Sequence, residues 1–468
     1  MVFSSMTFLC VFLPVLFILY YLVKGVRLRN FLLIGASLLF YAYGEPVYIV
    51  LMIISTLINY FFGLLLVTEE VKKRKLALFF AVLINLGLLG VFKYSDMAVE
   101  TVNGLLGTAF EGPGLKLPIG ISFYTFQAMS YVIDVYRKDV AVQKNYFNIL
   151  LYISFFPQLI AGPIVKYHDI QEQIDNRHAD PKRIAMGFRR FTIGLSKKIL
   201  ISNAVAIAAD AVFAFPFAEI NIISAWIGAI AYALQIYFDF SGYSDMAIGL
   251  GHMFGFHFLE NFDYPYVSRS IKEFWRRWHI SLSTWFKEYL YYPLGGNRKG
   301  KTRTVLNKWI VFFSTGLWHG ASWTFVIWGL WHGLFQMIEE FLPVKRLPRL
   351  LGHIYALLVV FVGFVLFRAE SFQQGLHMIG QMFTGFHFTE TQQMLAFEQL
   401  TPIFILATVV GMIISMPILP NIQMRIAPDS SLEKVLLPMT YISSIILLVL
   451  CMLSLSSGTY NPFIYFRF

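Results

Sequence analysis

The chain contains repeated apolar runs long enough to cross a lipid bilayer, and these runs constrain its fold more than any other feature. The hydrocarbon core of a bilayer is about 30 Å thick, so a spanning helix needs about 20 apolar residues. Of the 468 residues, 57% are hydrophobic and 14% are charged, and a soluble protein cannot bury that much apolar surface. The longest runs are Met6–Val23, Val47–Val67, Leu76–Phe92, Tyr146–Val165, Ile222–Phe240, Leu351–Phe367, Pro402–Met416 and Val435–Leu455.

These runs predict an all-α polytopic membrane protein with roughly 10 to 12 transmembrane helices in one domain over residues 1–468. They lack the period-two alternation of outer-membrane barrel strands. Glycine and proline interrupt Leu117–Phe123 and Phe156–Pro163. Broken helices at membrane depth are tolerated only where protein or a water-filled cavity satisfies the backbone. We therefore expect interfacial and re-entrant helices around a cavity.

Basic residues after the first run predict the orientation of the chain. Lys24, Arg27 and Arg29 follow Val23 closely, and short loops rich in Lys and Arg stay in the cytoplasm. The N-terminus is therefore expected outside the cytoplasm. No basic residue precedes the first run, which favours a retained helix over a cleaved signal peptide.

Positive charge is concentrated between Tyr264 and Lys308. This segment has ten basic and two acidic residues, and so contributes +8 of the net charge of +10. Trp and Tyr, which favour the membrane–water interface, alternate with the charges over Ile271–Tyr292. We expect the segment to face the cytoplasm, near membrane lipids or an anionic substrate, and not nucleic acid, because it lies among membrane runs. Its candidate contacts for the phosphates of a donor are Arg276, Arg277, Arg298 and Lys299, although positive-inside topology alone also explains these residues.

The thirty residues from Trp309 to Ile338 contain no Asp, Glu, Lys or Arg, yet include His319 and His332. A titratable side chain in such a run is costly and indicates a functional site. A buried neutral imidazole can take the proton of a hydroxyl that attacks a carbonyl; the alternative for His319 is a hydrogen-bonded histidine that links helices. If the run is helical, His319 lies roughly 16 Å beyond Lys308 and near the middle of the bilayer.

Two copies of Gly-Leu-Trp-His-Gly, at residues 316–320 and 329–333, place the histidines 13 residues apart. On one continuous helix they would differ by roughly 220° and point to nearly opposite sides. We therefore interpret His332 as a packing residue unless the helix breaks between the two. His279, in the basic aromatic segment, is the second candidate, either as a functional group or as a histidine of a surface helix.

Polar residues that end the run Ile222–Phe238 form a further candidate group. Carboxylates are expensive in a membrane, so Asp239 and Asp245 either line a polar cavity or, as we favour, stabilise broken helices. Together with Gln235 and with Trp318 beside His319, they are candidate supporting residues.

Motifs for metal and nucleotide chemistry are missing from the sequence. There is no His-Glu-x-x-His, no clustered carboxylate set and no phosphate-binding loop. Cys10 and Cys451 lie at opposite ends of the chain and form no metal set. No metal and no tightly bound cofactor are expected.

Several long motifs, taken together and in this order, resemble the membrane-bound O-acyltransferase (MBOAT) family. The Tyr291–Asn297 form is typical of the bacterial polysaccharide branch of alginate type, to which the teichoic-acid D-alanyl-transfer branch is related. The matching motifs are Phe156–Pro163, Asp239–Asp245, Phe274–Tyr289, Pro293–Asn297, Gly316–Trp323 and the ending Pro462–Phe468.

The resemblance implies a helical bundle with a central funnel that leads to the catalytic histidine at His319, with His279 as the second family histidine. It further implies a bacterial cytoplasmic (inner) membrane enzyme that moves an acyl group, most simply acetyl, from a cytoplasmic thioester such as acetyl-CoA toward an extracytoplasmic acceptor. An extracytoplasmic partner with an SGNH-hydrolase-like fold, or another acyl-accepting protein, would complete the O-acetylation of an exopolysaccharide or cell-wall polysaccharide.

Two other functions stay open at this point, and a purely structural scaffold subunit is a further, weaker option. One is D-alanyl transfer to teichoic acid, against which the Pro293–Asn297 motif argues. The other is a transporter that uses His319 as a proton relay with Asp239 and Asp245, although the sequence contains no inverted repeat. The residues name neither the acceptor polymer nor the donor.

Overall fold

The computed structural model describes residues 1–178, 180–342, 344–423, 430–458 and 463–464. Over these residues the regular structure is helical and no strand occurs, which confirms the all-α prediction. Contacts divide the chain into two compact units, unit 1 with Met1–Phe191 and Ser244–Leu259, and unit 2 with Thr192–Tyr243 and Glu260–Phe468. The single domain over residues 1–468 stays a prediction. The motif Pro462–Phe468 lies outside the described residues except for Phe463 and Ile464.

Six helices in the described ranges are long and apolar enough to span a membrane, and a bent pair, Glu390–Glu398 with Pro402–Ile414, would make seven. The predicted number of 10 to 12 is larger because it counts shorter apolar segments, such as helix Phe8–Leu22, which this length criterion leaves out. Large apolar side chains such as Leu453 lie exposed on these helices, as expected for a lipid-facing surface. The six spans are Tyr48–Leu65, Val71–Leu106, Pro181–Phe213, Ile222–Met253, Arg349–Arg368 and Lys434–Ser456.

Unit 1 is built from helices that pack around a cluster of phenylalanines. Phe8, Phe40 and Phe156 lie with ring centroids 5.4 to 6.3 Å apart. Its helices are Phe8–Phe12 (π) with Leu13–Leu22, Val26–Ala42, Tyr48–Leu65, Val71–Leu106, Ile121–Arg137, Tyr146–Ser154, Phe156–Leu159, Tyr167–Asp175 and the start of Pro181–Ser196.

The interruptions predicted from glycine and proline occur as breaks in unit 1. Gly120 has a φ of 78° directly before helix Ile121–Arg137, a conformation that glycine adopts without steric cost. The run Tyr146–Val165 is not the single span that its composition indicated. It divides at Phe155 into two short helices, because Pro157 fits only the first turn of a new helix.

Unit 2 contains the uncharged histidine run as a helical hairpin, which we call the His hairpin, Lys301–His319 and Trp323–Phe341. The other helices of unit 2 are Lys197–Ser202 (π), Asn203–Phe213, Phe217–Glu219 (3₁₀), most of Ile222–Met253, Pro265–Val267 (3₁₀), Ile271–Arg277, Ile280–Phe286, Lys287–Tyr291 (π), Val344–Arg346 (3₁₀), Arg349–Arg368, Phe372–Thr384, Glu390–Glu398, Pro402–Ile414, Ile418–Gln423 and Ser431–Ser456.

Glycines explain how the two arms of the His hairpin pack. A Cβ on Gly316 would meet the carbonyl oxygen of Phe325, and one on Gly329 would meet that of Phe312 and the backbone of Gly316. Glycine at such positions lets two membrane helices approach backbone to backbone. The repeated Gly-Leu-Trp-His-Gly motif therefore gives the two arms matching close-packing surfaces.

Candidate active site

His319 is the last residue of the first arm of the His hairpin and is 4% exposed. Its Nδ1 lies 2.7 Å from the carbonyl oxygen of Thr315. A carbonyl only accepts hydrogen bonds, so Nδ1 carries the proton of the neutral ring and donates it to Thr315. The lone pair is then on Nε2, which is the tautomer that a general base needs.

His279 lies beside His319, with the ring centroids 6.4 Å apart. It is 0% exposed, so the alternative of a surface-helix histidine is wrong. The basic aromatic segment breaks here: helix Ile271–Arg277 ends, and Ile280–Phe286 begins immediately after His279. Tertiary packing of this break brings the two histidines together across forty residues of sequence.

Asn261 holds His279 in an uncommon backbone conformation. The φ of His279 is 44°, a left-handed value that few residues other than glycine adopt and that often occurs at functional sites. The Asn261 carbonyl oxygen accepts from the Ile280 N–H at 2.9 Å, and its side-chain Oδ1 lies 3.2 Å from His279 Nδ1. His279 Nδ1 therefore donates to Asn261, and the neutral ring has its lone pair on Nε2.

The pKa of His279, which lies outside the candidate spans, supports this neutral form. Burial, and then the neighbouring His319, hold this pKa well below its usual range. Burial disfavours the charged imidazolium because it removes water from around it. His279 is therefore neutral at pH 7 and suited to hydrogen bonding rather than to charge stabilisation.

Aromatic rings enclose the histidine pair. Trp318, Trp328 and Phe367 have ring centroids 5.1, 4.7 and 5.7 Å from that of His319, and Phe240 lies 4.6 Å from His279. Such walls exclude water, which strengthens the electrostatic interactions inside. Trp318 thus has the contact with His319 that its sequence position suggested, and it also lies 5.9 Å from His279.

His332 belongs to the same aromatic cluster. The assumption of one continuous helix is wrong, because the first arm ends at His319 and the second begins at Trp323. The reversal places Trp328 between the two histidines, 4.7 Å from His319 and 5.3 Å from His332. The helical-phase argument therefore does not separate His332 from the site.

A cavity of about 370 Å³ in unit 2 reaches Thr315, one helical turn before His319, and neither His319 nor His279 is among its lining residues. Thr315, whose carbonyl oxygen accepts from His319, lines it together with the apolar side chains of Val311 and Phe312. Its charged lining residues are Lys272, Arg276, Lys287, Lys308 and Glu340. The cavity thus combines an apolar wall near the histidine with an excess of positive charge.

The four proposed donor-binding residues have different positions. Arg276 lines this cavity and also a neighbouring one of about 390 Å³. Arg277 lines only the neighbouring one, where it forms ion pairs with Asp263 at 2.9 Å and Glu273 at 3.1 Å. Arg298 and Lys299 are exposed in a turn and line neither cavity.

The sequence interpretation missed three lysines of the cavity, Lys272, Lys287 and Lys308. Lys272 and Lys308 both pair with Glu340. All three belong to the basic segment, and Lys272 precedes Arg276 by one helical turn, which was a usable signal. Which other lysines of this segment reach the cavity depended on the fold.

The supporting carboxylates are held in ion pairs. Asp239 is buried, lies 2.5 Å from Lys198 Nζ and accepts from the Ile464 N–H at 2.9 Å. Asp245, in unit 1, pairs with Arg190 at 2.8 Å. Such pairing favours the stabilising role over a proton relay. Gln235 is buried, and its Oε1 has no hydrogen-bond partner among the described residues.

Metal binding has no evident site in the part of the chain that the structure describes. No three His, Cys, Asp or Glu side chains there are grouped so that they could hold an ion. The expectation of no resident metal or cofactor stays a prediction.

Comparison with known proteins identifies the family. The model of the membrane-bound O-acyltransferase (MBOAT) family matches residues 137–373. The chain is 40% identical to the probable alginate O-acetylase AlgI of Pseudomonas putida, with both chains covered in full. The chain belongs to the MBOAT family. It is therefore an acyltransferase and a multi-pass membrane protein, as the motifs indicated.

Two further relatives distinguish the branches of the MBOAT family. The chain is 36% identical to the peptidoglycan O-acetyltransferase of Helicobacter pylori, over 82% of this chain and 80% of that protein. Identity to the teichoic acid D-alanyltransferase of Bacillus subtilis is 27%, over 54% and 69%. The D-alanyl alternative therefore fits less well than O-acetyl transfer, and the transporter alternative loses its basis because the family is enzymatic.

Proposed function

We propose that this enzyme transfers an acetyl group from a cytoplasmic thioester toward a hydroxyl of an extracytoplasmic polysaccharide. The observation that carries the proposal is the buried pair His319 and His279, with His319 one helical turn beyond Thr315 on the wall of a cavity that has an excess of positive charge. The relatives named for acetylation of alginate and of peptidoglycan support an acetyl group and a polysaccharide acceptor.

The chemistry assigned to the histidine pair is general base catalysis. The acceptor hydroxyl attacks the acyl carbonyl while His319 Nε2 takes its proton; a C–O bond forms and the thioester C–S bond breaks. The proton then passes from His319 to the thiolate that leaves. The hydrogen bond from Nδ1 to Thr315 fixes the ring during both transfers, and His279 orients the acceptor or donor.

The donor proposed for the cavity is acetyl-CoA, a thioester with several phosphates. Positive charge that attracts such an anion comes from Arg276 and the three cavity lysines. The apolar wall near Thr315 suits the uncharged thioester end. Arg277 is a weaker candidate because its charge is already compensated by two carboxylates.

The proposed setting is a bacterial cytoplasmic membrane with the N-terminus outside. The positive-inside rule supports this orientation, because Lys24, Arg27 and Arg29 closely follow the first apolar run. The donor cavity then opens to the cytoplasm, because its lysines and Arg276 belong to the main basic segment. An extracytoplasmic SGNH-like or other acyl-accepting protein is the proposed partner that receives the group.

The test is His319→Ala in cells that make the polymer and lack the natural copy of the protein. Loss of a general base lowers a rate by about 10²- to 10⁴-fold, so ester-linked acetate on the polysaccharide should fall close to background in mass spectrometry. His377→Ala is the matched control, since that imidazole contacts only the Phe217 carbonyl and ring among its recorded partners. Unchanged acetate with a folded, membrane-inserted His319→Ala protein would contradict the proposal.

A further inference from the structure

Three aromatic rings, of which Trp328 contacts His319, form a compact group, which we call the indole–imidazole triad: Trp275, Trp328 and His332. The ring centroids of Trp275 and Trp328 lie 5.8 Å apart, and His332 lies 5.3 Å from each of them. Trp275 comes from helix Ile271–Arg277, and the other two come from the second arm of the His hairpin. All three side chains are buried.

The polar atoms of the triad lack hydrogen-bond partners among the residues that the structure describes. Within the described residues, Nε1 of Trp275, Nε1 of Trp328 and both ring nitrogens of His332 are buried and unsatisfied. Buried polar groups are normally paired, because removing them from water without a partner costs free energy. Trp331 on the same arm follows the usual rule, since its Nε1 donates to the Val359 carbonyl at 2.9 Å.

The chemistry of these atoms defines what would satisfy them. An indole N–H only donates, and a neutral imidazole has one N–H to donate. Three N–H donors in one buried group are suited to an acceptor oxygen, and a carbonyl oxygen accepts two or more hydrogen bonds. Purely apolar packing would have been served by phenylalanine at each of these positions.

The position of the triad relates it to the reaction. Trp275 lines the cationic cavity, and Trp328 lies 4.7 Å from His319. The donors therefore lie between the space proposed for the thioester and the proposed base. Gly363 packs against the imidazole of His332. A Cβ at this position would come 2.9 Å from His332 Nε2, so only glycine leaves room for the ring in its present position.

We propose that the indole–imidazole triad binds the carbonyl oxygen of the acyl group during transfer, an inference that rests on the proposed function. When the acceptor hydroxyl adds to the carbonyl carbon, the C=O electron pair moves to this oxygen, and His319 takes the hydroxyl proton. The N–H groups of Trp275, Trp328 and His332 stabilise the resulting oxyanion. The C=O bond re-forms as the C–S bond breaks, and the proton passes to the thiolate.

The experiment replaces single donors while it keeps the rings. Trp328→Phe and Trp275→Phe remove an N–H, His332→Phe removes the imidazole, and His332→Asn restores a side-chain donor. Full-length variants are compared in inverted membrane vesicles from polymer-producing cells, with release of CoA from acetyl-CoA as the readout. Trp331→Phe is the matched control, because its N–H already bonds to the backbone.

Loss of one oxyanion donor lowers kcat by about 10²- to 10³-fold. We expect that loss for Trp328→Phe and His332→Phe with little change in KM for acetyl-CoA, partial recovery in His332→Asn, and wild-type kcat in Trp331→Phe. Size-exclusion chromatography and thermal unfolding in detergent check the fold, and if Trp328→Phe does not fold, Trp275→Phe at the cavity wall decides.

Three results would overturn the inference: wild-type kcat in the folded Trp variants, a change confined to KM, or equal activity of His332→Phe and His332→Asn. The proposed function fails differently, because wild-type vesicles would then release no CoA that depends on His319.

Discussion

At the scale of single residues, one hydrogen bond from each Nδ1, to a backbone carbonyl for His319 and to a side-chain oxygen for His279, decides what the two histidines can do. His319 donates from Nδ1 to the carbonyl of Thr315, one helical turn earlier, and His279 donates to Asn261. Each ring is thereby left with its lone pair on Nε2. Motif order indicated both residues from the sequence, whereas neither the tautomers nor the distance between the rings is written there.

His279 allows a test of its backbone conformation apart from its chemistry. Asparagine tolerates a φ near 44° well, and valine does not. We expect His279→Asn to fold with a wild-type thermal midpoint and reduced acetylation, and His279→Val to be less stable by about 1–3 kcal/mol. Thermal unfolding in detergent and acetate content of the polymer measure the two effects. Equal midpoints for both variants would contradict the argument from strain.

Cavity position, rather than charge alone, should determine donor binding. Arg276→Gln removes a charge from the cavity wall, so we expect a several-fold higher KM for acetyl-CoA in inverted vesicles. Arg298→Gln and Lys299→Gln remove the same charge from an exposed turn outside the cavity. These matched variants should keep the wild-type KM. An equal rise in all three would show that the overall field of the basic segment attracts the donor.

At the scale of elements, the His hairpin places the two copies of the repeated Gly-Leu-Trp-His-Gly motif on facing helices at the candidate site. Its glycines bring the arms together, and its reversal at residues 320–322 ends the first arm at His319. The repeat is visible in the sequence, but the assumption of one continuous helix placed His332 on the side opposite His319. Helical phase does not apply across a break, so that placement does not hold. In the basic segment a break also occurs at His279, between helices Ile271–Arg277 and Ile280–Phe286.

Close packing of the hairpin predicts a strong effect of one methyl-sized change. A Cβ on Gly329 would collide with the backbone of the facing arm, so Gly329→Ala should separate the arms, lower the thermal midpoint and abolish acetylation. Gly380→Ala is the matched control, since a Cβ at this helical glycine has no neighbour within 4 Å. A Gly329→Ala protein with normal stability would show that the arms have room to separate.

At the scale of the whole molecule, the proposed reaction requires a defined orientation in the membrane. The donor cavity belongs to the basic segment, which we place in the cytoplasm. A single cysteine at exposed Lys299, in a chain without Cys10 and Cys451, should react with a membrane-impermeant maleimide in inverted vesicles and not in intact spheroplasts. A cysteine introduced near Met1 should show the opposite pattern. Labelling of Lys299→Cys from outside would contradict the proposed sidedness.

The sequence by itself determined that the protein lies in a membrane, that its fold is all-α and that it belongs to the MBOAT family. Runs of apolar residues exceed what a soluble fold can bury, and long motifs in a fixed order identify acyltransferase chemistry with His319 and His279 as its candidates. These properties depend on composition and on local order along the chain.

Only the tertiary structure decided how the site is assembled. In the folded protein the ring centroids of His279 and His319 lie 6.4 Å apart, and His332 lies in the same aromatic cluster. Arg276 and three lysines line the cavity, and Asp239 pairs with Lys198. The physical reason is that breaks and reversals, at His279 and at residues 320–322, set the direction of each helix. Contacts between residues distant in sequence follow from those directions, and periodicity within one helix does not encode them.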